Sequence, residues 1–118
     1  MTIEGQLQSK IQSVIEMYSN DQVKEALILT KELIQNNPAE PILFNICGVC
    51  YKSLGDLNGA VIEFKIAIKL KSDYSEAKYN LALVFQDLGQ LKSAVESYQG
   101  VLAINYNFAE AHNNLGLT

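Results

Sequence analysis

The sequence predicts an all-α fold, a right-handed solenoid of antiparallel helix pairs with about seven helices. Three observations support this prediction. The chain of 118 residues resembles itself at one fixed offset, the separation of Gly55 from Gly89, and apolar residues recur within each copy at the spacing of a helix face. The composition, with 48% hydrophobic residues and 2 prolines, is that of a folded helical chain.

The repeat is visible at small and aromatic residues that the copies share. The pairs that match at this offset are Gly55 with Gly89, Phe64 with Tyr98, and Ala26 with Ala60, which in turn matches Ala94. They divide the chain into a lead-in (1–6), three units (7–40, 41–74 and 75–108) and the first helix of a fourth unit (109–118). Each full unit is predicted to hold two helices, which gives seven helices in all.

The first helix of the second unit is apolar on two faces. Leu43, Cys47 and Leu54 fall at i, i+4 and i+11 on one face, and Ile42 and Ile46 belong to the other. A helix with two apolar faces must be covered on two sides, by its own partner and by the next pair. The pairs are therefore expected to stack side by side.

Residues at the helix ends carry the signals of turns and caps. Gly55 and Gly89 stand in the turn within their units, where a positive φ is accessible to glycine. Asp56 is the predicted N-cap of the following helix, and Pro41 suits a first helical turn. At Gly48 we expect two antiparallel helices to approach closely, because a larger side chain would push them apart.

These features resemble the tetratricopeptide repeat (TPR) family, whose unit of about 34 residues is a helix–turn–helix with small and aromatic residues at fixed positions. The first unit is a weaker copy that keeps Ala26 and the late Pro38. The resemblance implies a non-catalytic scaffold that binds a protein or peptide ligand in a concave groove, lined by the first helix of each unit. In the second unit the family pattern falls on Phe44, Cys47, Gly48, Tyr51, Ala60, Phe64 and Ala67.

The resemblance also implies which residues line the groove. Family members that clamp an acidic chaperone C-terminus have lysine and asparagine at defined groove positions, where this chain has residues such as Ile15, Ile46 and Glu76. The carboxylate-clamp interpretation therefore fails. The candidate peptide-binding residues are Ile11, Ile15, Ile42, Asn45, Ile46, Val49, Tyr79, Asn80, Leu83, Asn113 and Asn114.

The two halves of the predicted groove differ in chemistry. Its N-terminal isoleucines form an apolar patch that would accept anchors of a peptide or an amphipathic helix. The alternative is that residues 1–6 or the curvature of the array cover this patch. Asn80 and Asn114 resemble the asparagine ladder that binds a peptide backbone in O-linked N-acetylglucosaminyltransferases and bacterial sugar- or sulfotransferases. The alternative for both asparagines is an ordinary solvent-facing position.

The chain offers few candidates for chemistry. Cys47 and Cys50 have the C-x-x-C spacing, but no second pair completes a zinc site. We expect both to be buried packing residues rather than the site of a thiol enzyme. His112 is the single histidine and has no ligand partner at helical spacing. The sequence therefore predicts no enzyme, no catalytic residue, no metal and no cofactor.

Charge and hydropathy exclude further classes of partner. The basic residues number 9, all of them lysine, against 13 acidic residues, for a net charge of −4, so nucleic acid is not an expected partner. No apolar run reaches the roughly 18 residues needed to cross a bilayer, and the polar first residues lack the pattern of a signal peptide. We expect no membrane association and a cytoplasmic location.

The fourth predicted unit consists of its first helix alone, without the second helix of the pair. We expect the chain to be an N-terminal piece of a longer protein, in which the array serves as a scaffold. The alternative is the substrate-recruiting arm of a larger glycosyl- or sulfotransferase. An exposed apolar end at Val101, Ile104, Ala111 and Leu115 is expected to allow self-association.

Overall fold

The computed structural model describes residues 2–117. Met1 of the predicted lead-in and Thr118 of the predicted fourth unit lie outside the described residues. Within 2–117 there are seven helices and no strand, so the predicted all-α fold is confirmed. The helices are α1 (Ile3–Ser19), α2 (Val23–Asn36), α3 (Pro41–Ser53), α4 (Leu57–Leu70), α5 (Ser75–Asp87), α6 (Leu91–Ile104) and α7 (Ala109–Leu117).

The helices follow one another with the period of the sequence. Helices α3, α5 and α7 begin at Pro41, Ser75 and Ala109, the evenly spaced first residues of the predicted second, third and fourth units. Helix α1 begins earlier, at Ile3, so that residues 3–6 of the predicted lead-in form its first turn. Thr2 allows this early start, because its side chain caps the helix by accepting a hydrogen bond from the Gly5 N–H at 3.0 Å.

The helices form two layers. Each helix packs against its neighbours in sequence, and α3 also contacts α1 and α5 directly. The odd-numbered helices therefore form an inner layer, and α2, α4 and α6 form an outer layer. The array is elongated, with extents of 45 × 27 × 22 Å, as expected when units stack side by side.

Helices α3 and α4 approach closely at Gly48. A Cβ atom on Gly48 would lie only 2.6 Å from the Cε1 atom of the Phe64 ring. This ring is fully buried, and so are Ala60 and Ala67 on the same helix, which leaves the ring no room to move aside. The predicted reason for a small residue at Gly48 is confirmed.

Helix α3 ends in the predicted glycine turn. The Asp56 N–H donates to the Tyr51 carbonyl at 2.9 Å, and the Gly55 N–H donates to the Lys52 carbonyl at 3.0 Å. This pair of bonds is the Schellman motif, which needs a left-handed residue, and Gly55 has a φ of 85°. Asp56 then caps α4, because its carboxylate accepts a hydrogen bond from the Gly59 N–H at 2.9 Å.

Helix α1 ends in the same turn without a glycine. Asp21 stands at the position equivalent to Gly55 and Gly89, and its φ is 65°. Its N–H donates to the Tyr18 carbonyl at 3.1 Å, as in the glycine turns. A left-handed backbone costs most residues roughly 1–2 kcal/mol, less for aspartate, whose short side chain can bond locally. The first unit therefore keeps the turn at some cost in stability.

Replacing Asp21 with glycine should stabilise the fold by up to about 1 kcal/mol, because glycine adopts a positive φ without a steric penalty. Urea unfolding followed by circular dichroism measures the change. Asn20→Gly is the matched control, since its φ of −91° suits any residue and glycine gains nothing there. An equal gain in both variants would contradict the prediction.

Gly48→Ala should destabilise the protein by about 1–3 kcal/mol, because the added methyl group overlaps the Phe64 ring. The loss should exceed the roughly 1 kcal/mol that alanine gains over glycine within a helix. Gly100→Ala in α6 is the control, because its Cβ would lie 3.8 Å from the Lys78 Cδ atom in ordinary contact. That variant should be more stable, and a shift of the same sign in both would refute the close-approach argument.

Candidate peptide-binding groove

A shallow pocket of about 120 Å3 opens on the inner layer between α1 and α3. It is lined by Ile15 and Tyr18 from α1 and by Asn45, Ile46 and Val49 from α3. The Ile15 side chain is 39% exposed, and the other four residues are half-buried. We refer to this site as the α1–α3 pocket. Its walls are mostly apolar, with an amide and a phenol hydroxyl among them.

Hydrogen bonds link consecutive inner helices through residues 35 positions apart. The Asn80 Nδ2 atom donates to the Asn45 Oδ1 atom at 3.1 Å. One unit further on, the Asn114 Nδ2 atom donates to the Tyr79 hydroxyl oxygen at 3.0 Å. The two asparagines predicted to form a peptide ladder are thus bonded to the preceding inner helix. Their contact with a peptide stays a prediction.

The first junction has an apolar pair at the equivalent positions. Ile11 and Ile46 have the same separation in the chain, and they pack in one core cluster with residues of α1, α2 and α3. Ile11 is only 3% exposed, so it is a core residue and not part of the groove surface. The described members of this cluster lie between Leu7 and Cys50.

Tyr79 is fixed by aromatic neighbours at the C-terminal half of the groove. Its ring centroid lies 6.0 Å from that of Tyr98 and 5.1 Å from that of Phe108. Tyr98 is fully buried, and its hydroxyl donates to the Gln86 side-chain oxygen at 2.6 Å. Burial raises the pKa of Tyr98. Tyr79 is therefore a supporting residue between α5 and α6 as much as a contact surface.

The exposed face of the inner helices changes from apolar on α3 to acidic on α5 and α7. Residues at i, i+4, i+7 and i+11 share one helix face, which we call the inner stripe. Glu76, Asp87 and Glu110 are exposed, as is the candidate residue Asn113, whereas Ile42 and Leu83 are half-buried. The stripe holds Ile42, Ile46, Val49 and Ser53 on α3, then Glu76, Asn80, Leu83 and Asp87 on α5, and Glu110 and Asn114 on α7.

The two cysteines of α3 are buried, as the sequence predicts. Burial raises the pKa of the Cys47 thiol to about 12, and the nearby Glu63 carboxylate adds to the rise. Burial also raises the pKa of Cys50 to about 11. Thiols with such pKa values stay protonated at neutral pH and are poor nucleophiles.

His112 is exposed on α7. Its Nε2 atom lies 2.7 Å from the Tyr106 carbonyl oxygen, and its ring meets the edge of the Tyr106 ring at a centroid distance of 5.1 Å. Across residues 2–117, no group of three or more histidine, cysteine, aspartate or glutamate side chains could hold a metal ion. None of the described helices is long and apolar enough to cross a membrane.

The apolar end predicted to drive self-association is largely covered. Val101 and Ala111 are fully buried in the core that joins α6 to α7. Leu115 packs against the same core and is half-buried, and Ile104 is 40% exposed. The prediction was wrong for Val101 and Ala111, because α7 itself supplies the cover for the end of α6.

Comparison with known proteins gives a local match in sequence. The family model of the TPR repeat matches residues 84–118, which run from the end of α5 to the end of the chain. No curated protein sequence matches the chain significantly.

Solved structures match over nearly the whole chain. The first TPR of Spaghetti (RPAP3) bound to the HSP90 peptide SRMEEVD has a TM-score of 0.88 and 21% identity, and the match covers 92% of this chain and 86% of that one. For MamA the TM-score is 0.88 and the identity 21%, with 94% and 65% of the chains covered. For the Yersinia enterocolitica type III secretion translocator chaperone SycD the TM-score is 0.91 and the identity 12%, and the match covers 99% of this chain and 86% of that one. Identities this low show the fold alone, a TPR-type helical repeat.

Cysteine labelling should be slow in the folded protein. At pH 8 a maleimide reagent should modify Cys47 and Cys50 at least about a hundredfold more slowly than in the urea-unfolded chain, where a cysteine pKa is about 8.5. A Ser72→Cys variant gives the control, because Ser72 is exposed and its replacement should react quickly in the folded state. Fast native labelling of either natural cysteine would contradict the packing role.

Proposed function

We propose that this chain is a non-catalytic protein-interaction module that binds an extended peptide along its inner layer. The observation that supports this function best is the α1–α3 pocket, whose apolar walls at Ile15, Ile46 and Val49 remain open in the folded protein. Apolar surface that folding leaves uncovered commonly marks a binding site. A row of inner helices beside the pocket would support the rest of a peptide.

The size of the pocket favours a single anchor side chain. A volume of about 120 Å3 is close to the roughly 150 Å3 of an engineered cavity that accommodates benzene. One aliphatic side chain therefore fills the pocket, whereas the broad apolar face of a helix would need a longer continuous groove. Tyr18 and Asn45 also line the pocket, where their side chains are hydrogen-bonded to Ser53 and Asn80.

The structural comparison supports the same class of ligand. The first TPR of RPAP3 has this fold and binds a short HSP90 peptide. That peptide is acidic, and the residues expected for a carboxylate clamp are not found in this chain. We therefore take a peptide as the ligand class without carrying over the chaperone sequence.

Peptide binding can be tested with an immobilised library of random decapeptides, with affinities then measured by fluorescence anisotropy. Ile15→Asp should weaken the bound peptides at least about tenfold, because a carboxylate in the pocket opposes burial of an apolar anchor. Ile28→Asp is the matched control, since Ile28 lies on the outer helix α2 and is 61% exposed.

Circular dichroism should show that both variants remain folded. Unchanged affinity in Ile15→Asp would refute the pocket as the anchor site. If the wild-type chain binds no peptide of the library, peptide binding itself is refuted.

A substrate-recruiting arm of a glycosyl- or sulfotransferase is the second candidate function. The observation that favours it is the equivalence of Asn80 and Asn114 on the inner stripe of consecutive units. If they bind peptide backbone, the double variant Asn80→Ala/Asn114→Ala should weaken unrelated peptides by a similar factor. A loss confined to particular sequences would argue against this role.

A further inference from the structure

We propose that the peptide bound by this groove pairs an aliphatic anchor with a basic side chain. The anchor fills the α1–α3 pocket, and a lysine or arginine of the peptide lies over the acidic stripe of α5 and α7. The inference rests on the proposed function and specifies the chemistry of its ligand.

The first argument is the change of charge along the inner stripe. Glu76, Asp87 and Glu110 are exposed on its α5 and α7 part. Lysines adjoin its α3 part, because Lys71 lines a cavity with Ile42 and Lys24 lines one with Ser53. Lys10 and Lys78 belong to inner helices but line cavities against α2 and α6. The α5 and α7 part is therefore the acidic part of the groove, which favours a basic ligand there.

Lys52 precedes the stripe residue Ser53 on α3. Lys52 and Asp87 are 35 positions apart in the chain, as are Tyr18 and Ser53, whose hydroxyl oxygens lie 2.6 Å apart on neighbouring inner helices. Lys52 is thus in register with Asp87 and offsets part of its charge. The other two stripe carboxylates have no lysine in register, because the equivalent positions one unit earlier are Pro41 and Ser75.

Helix-dipole stabilisation alone does not explain the position of these carboxylates. Glu76 and Glu110 lie in the first turns of α5 and α7, where a negative charge contributes about 0.3–1 kcal/mol. Glu25 has the same place in the outer helix α2. The helix dipole explains why a carboxylate lies in the first turn, but it does not explain on which face of the helix the carboxylate lies. Glu76 and Glu110 both lie on the inner stripe, which on α3 holds the pocket residues Ile46 and Val49.

The spacing of the helices sets the distance between the two peptide side chains. Packed helices lie about 8–10 Å apart, so the stripe of α5 is roughly 15 Å from the middle of the α1–α3 pocket. An extended peptide advances about 3.3 Å per residue. The basic residue is therefore expected about four or five positions from the anchor.

A positional library tests this ligand. The probe is a set of N-acetylated decapeptides with one fixed leucine and all residues except cysteine elsewhere, selected on the immobilised wild-type chain. Lysine and arginine should be enriched over aspartate and glutamate at four or five positions from the leucine. The affinity of the selected peptide should fall about three- to tenfold in Glu76→Lys, and it should fall as NaCl is raised from about 50 to 300 mM, because salt screens exposed charges.

Glu32→Lys is the matched control, since it makes the same charge change at an exposed position of the outer helix α2 and should leave the affinity unchanged. Glu76→Gln should show a smaller loss than Glu76→Lys. If acidic or neutral residues are enriched, or if both lysine variants lose affinity equally, while Ile15→Asp still weakens binding at least about tenfold, the basic-ligand inference fails and the proposed function stands. If no leucine peptide is retained, both fail.

Discussion

The packing of α3 on several sides is the constraint on which the rest of the structure depends. This helix contacts α1, α2, α4 and α5, and at Gly48 its backbone lies against the ring of Phe64. Ile46 and Val49 of α3 are only half-buried by these contacts, and their remaining surface lines the α1–α3 pocket. The direction of the groove follows, because each further inner helix must present the equivalent stripe to stay in contact with its neighbours.

Side-chain hydrogen bonds cross all three junctions between the inner helices of residues 2–117. Asn45 with Asn80 and Tyr79 with Asn114 are hydrogen-bonded pairs, whereas the equivalent pair at the first junction is two isoleucines. A buried or half-buried amide pair loses free energy when the register is wrong, since its polar atoms lose their partners. An isoleucine pair tolerates small shifts. At the first junction the register is instead held by the Tyr18–Ser53 hydrogen bond of 2.6 Å, near the C-terminal ends of α1 and α3.

Much of the fold could be predicted from one sequence, because the constant offset between copies sets the starts of α3, α5 and α7 and locates the Gly55 turn. The candidate groove was harder to predict. Periodicity identifies the face on which Ile11 lies. Whether a neighbouring helix covers that face depends on contacts between residues such as Ile11 and Ile46, whose separation in the chain is one position longer than the repeat. The turn at Asp21 was missed for a related reason. No glycine marks it, and the hydrogen bonds of the turn hold an aspartate in the left-handed region instead.

The elongated architecture has a consequence for how the free and bound chains unfold. Packing within residues 2–117 runs mainly between helices adjacent in sequence, with contacts of α3 to α1 and α5 and of α7 to α5 as additions. The cores around α2 and α6 are separate clusters, and a third cluster of Phe44, Ala67 and Ala77 joins the second unit to the third. The stability of such an array is approximately a sum of unit and nearest-neighbour terms. A peptide that spans α1 to α5 would contact three units at once, so that loss of one unit would also forfeit the ligand's stabilisation of the others. Occupancy of the groove would thereby make the unfolding of the units more cooperative.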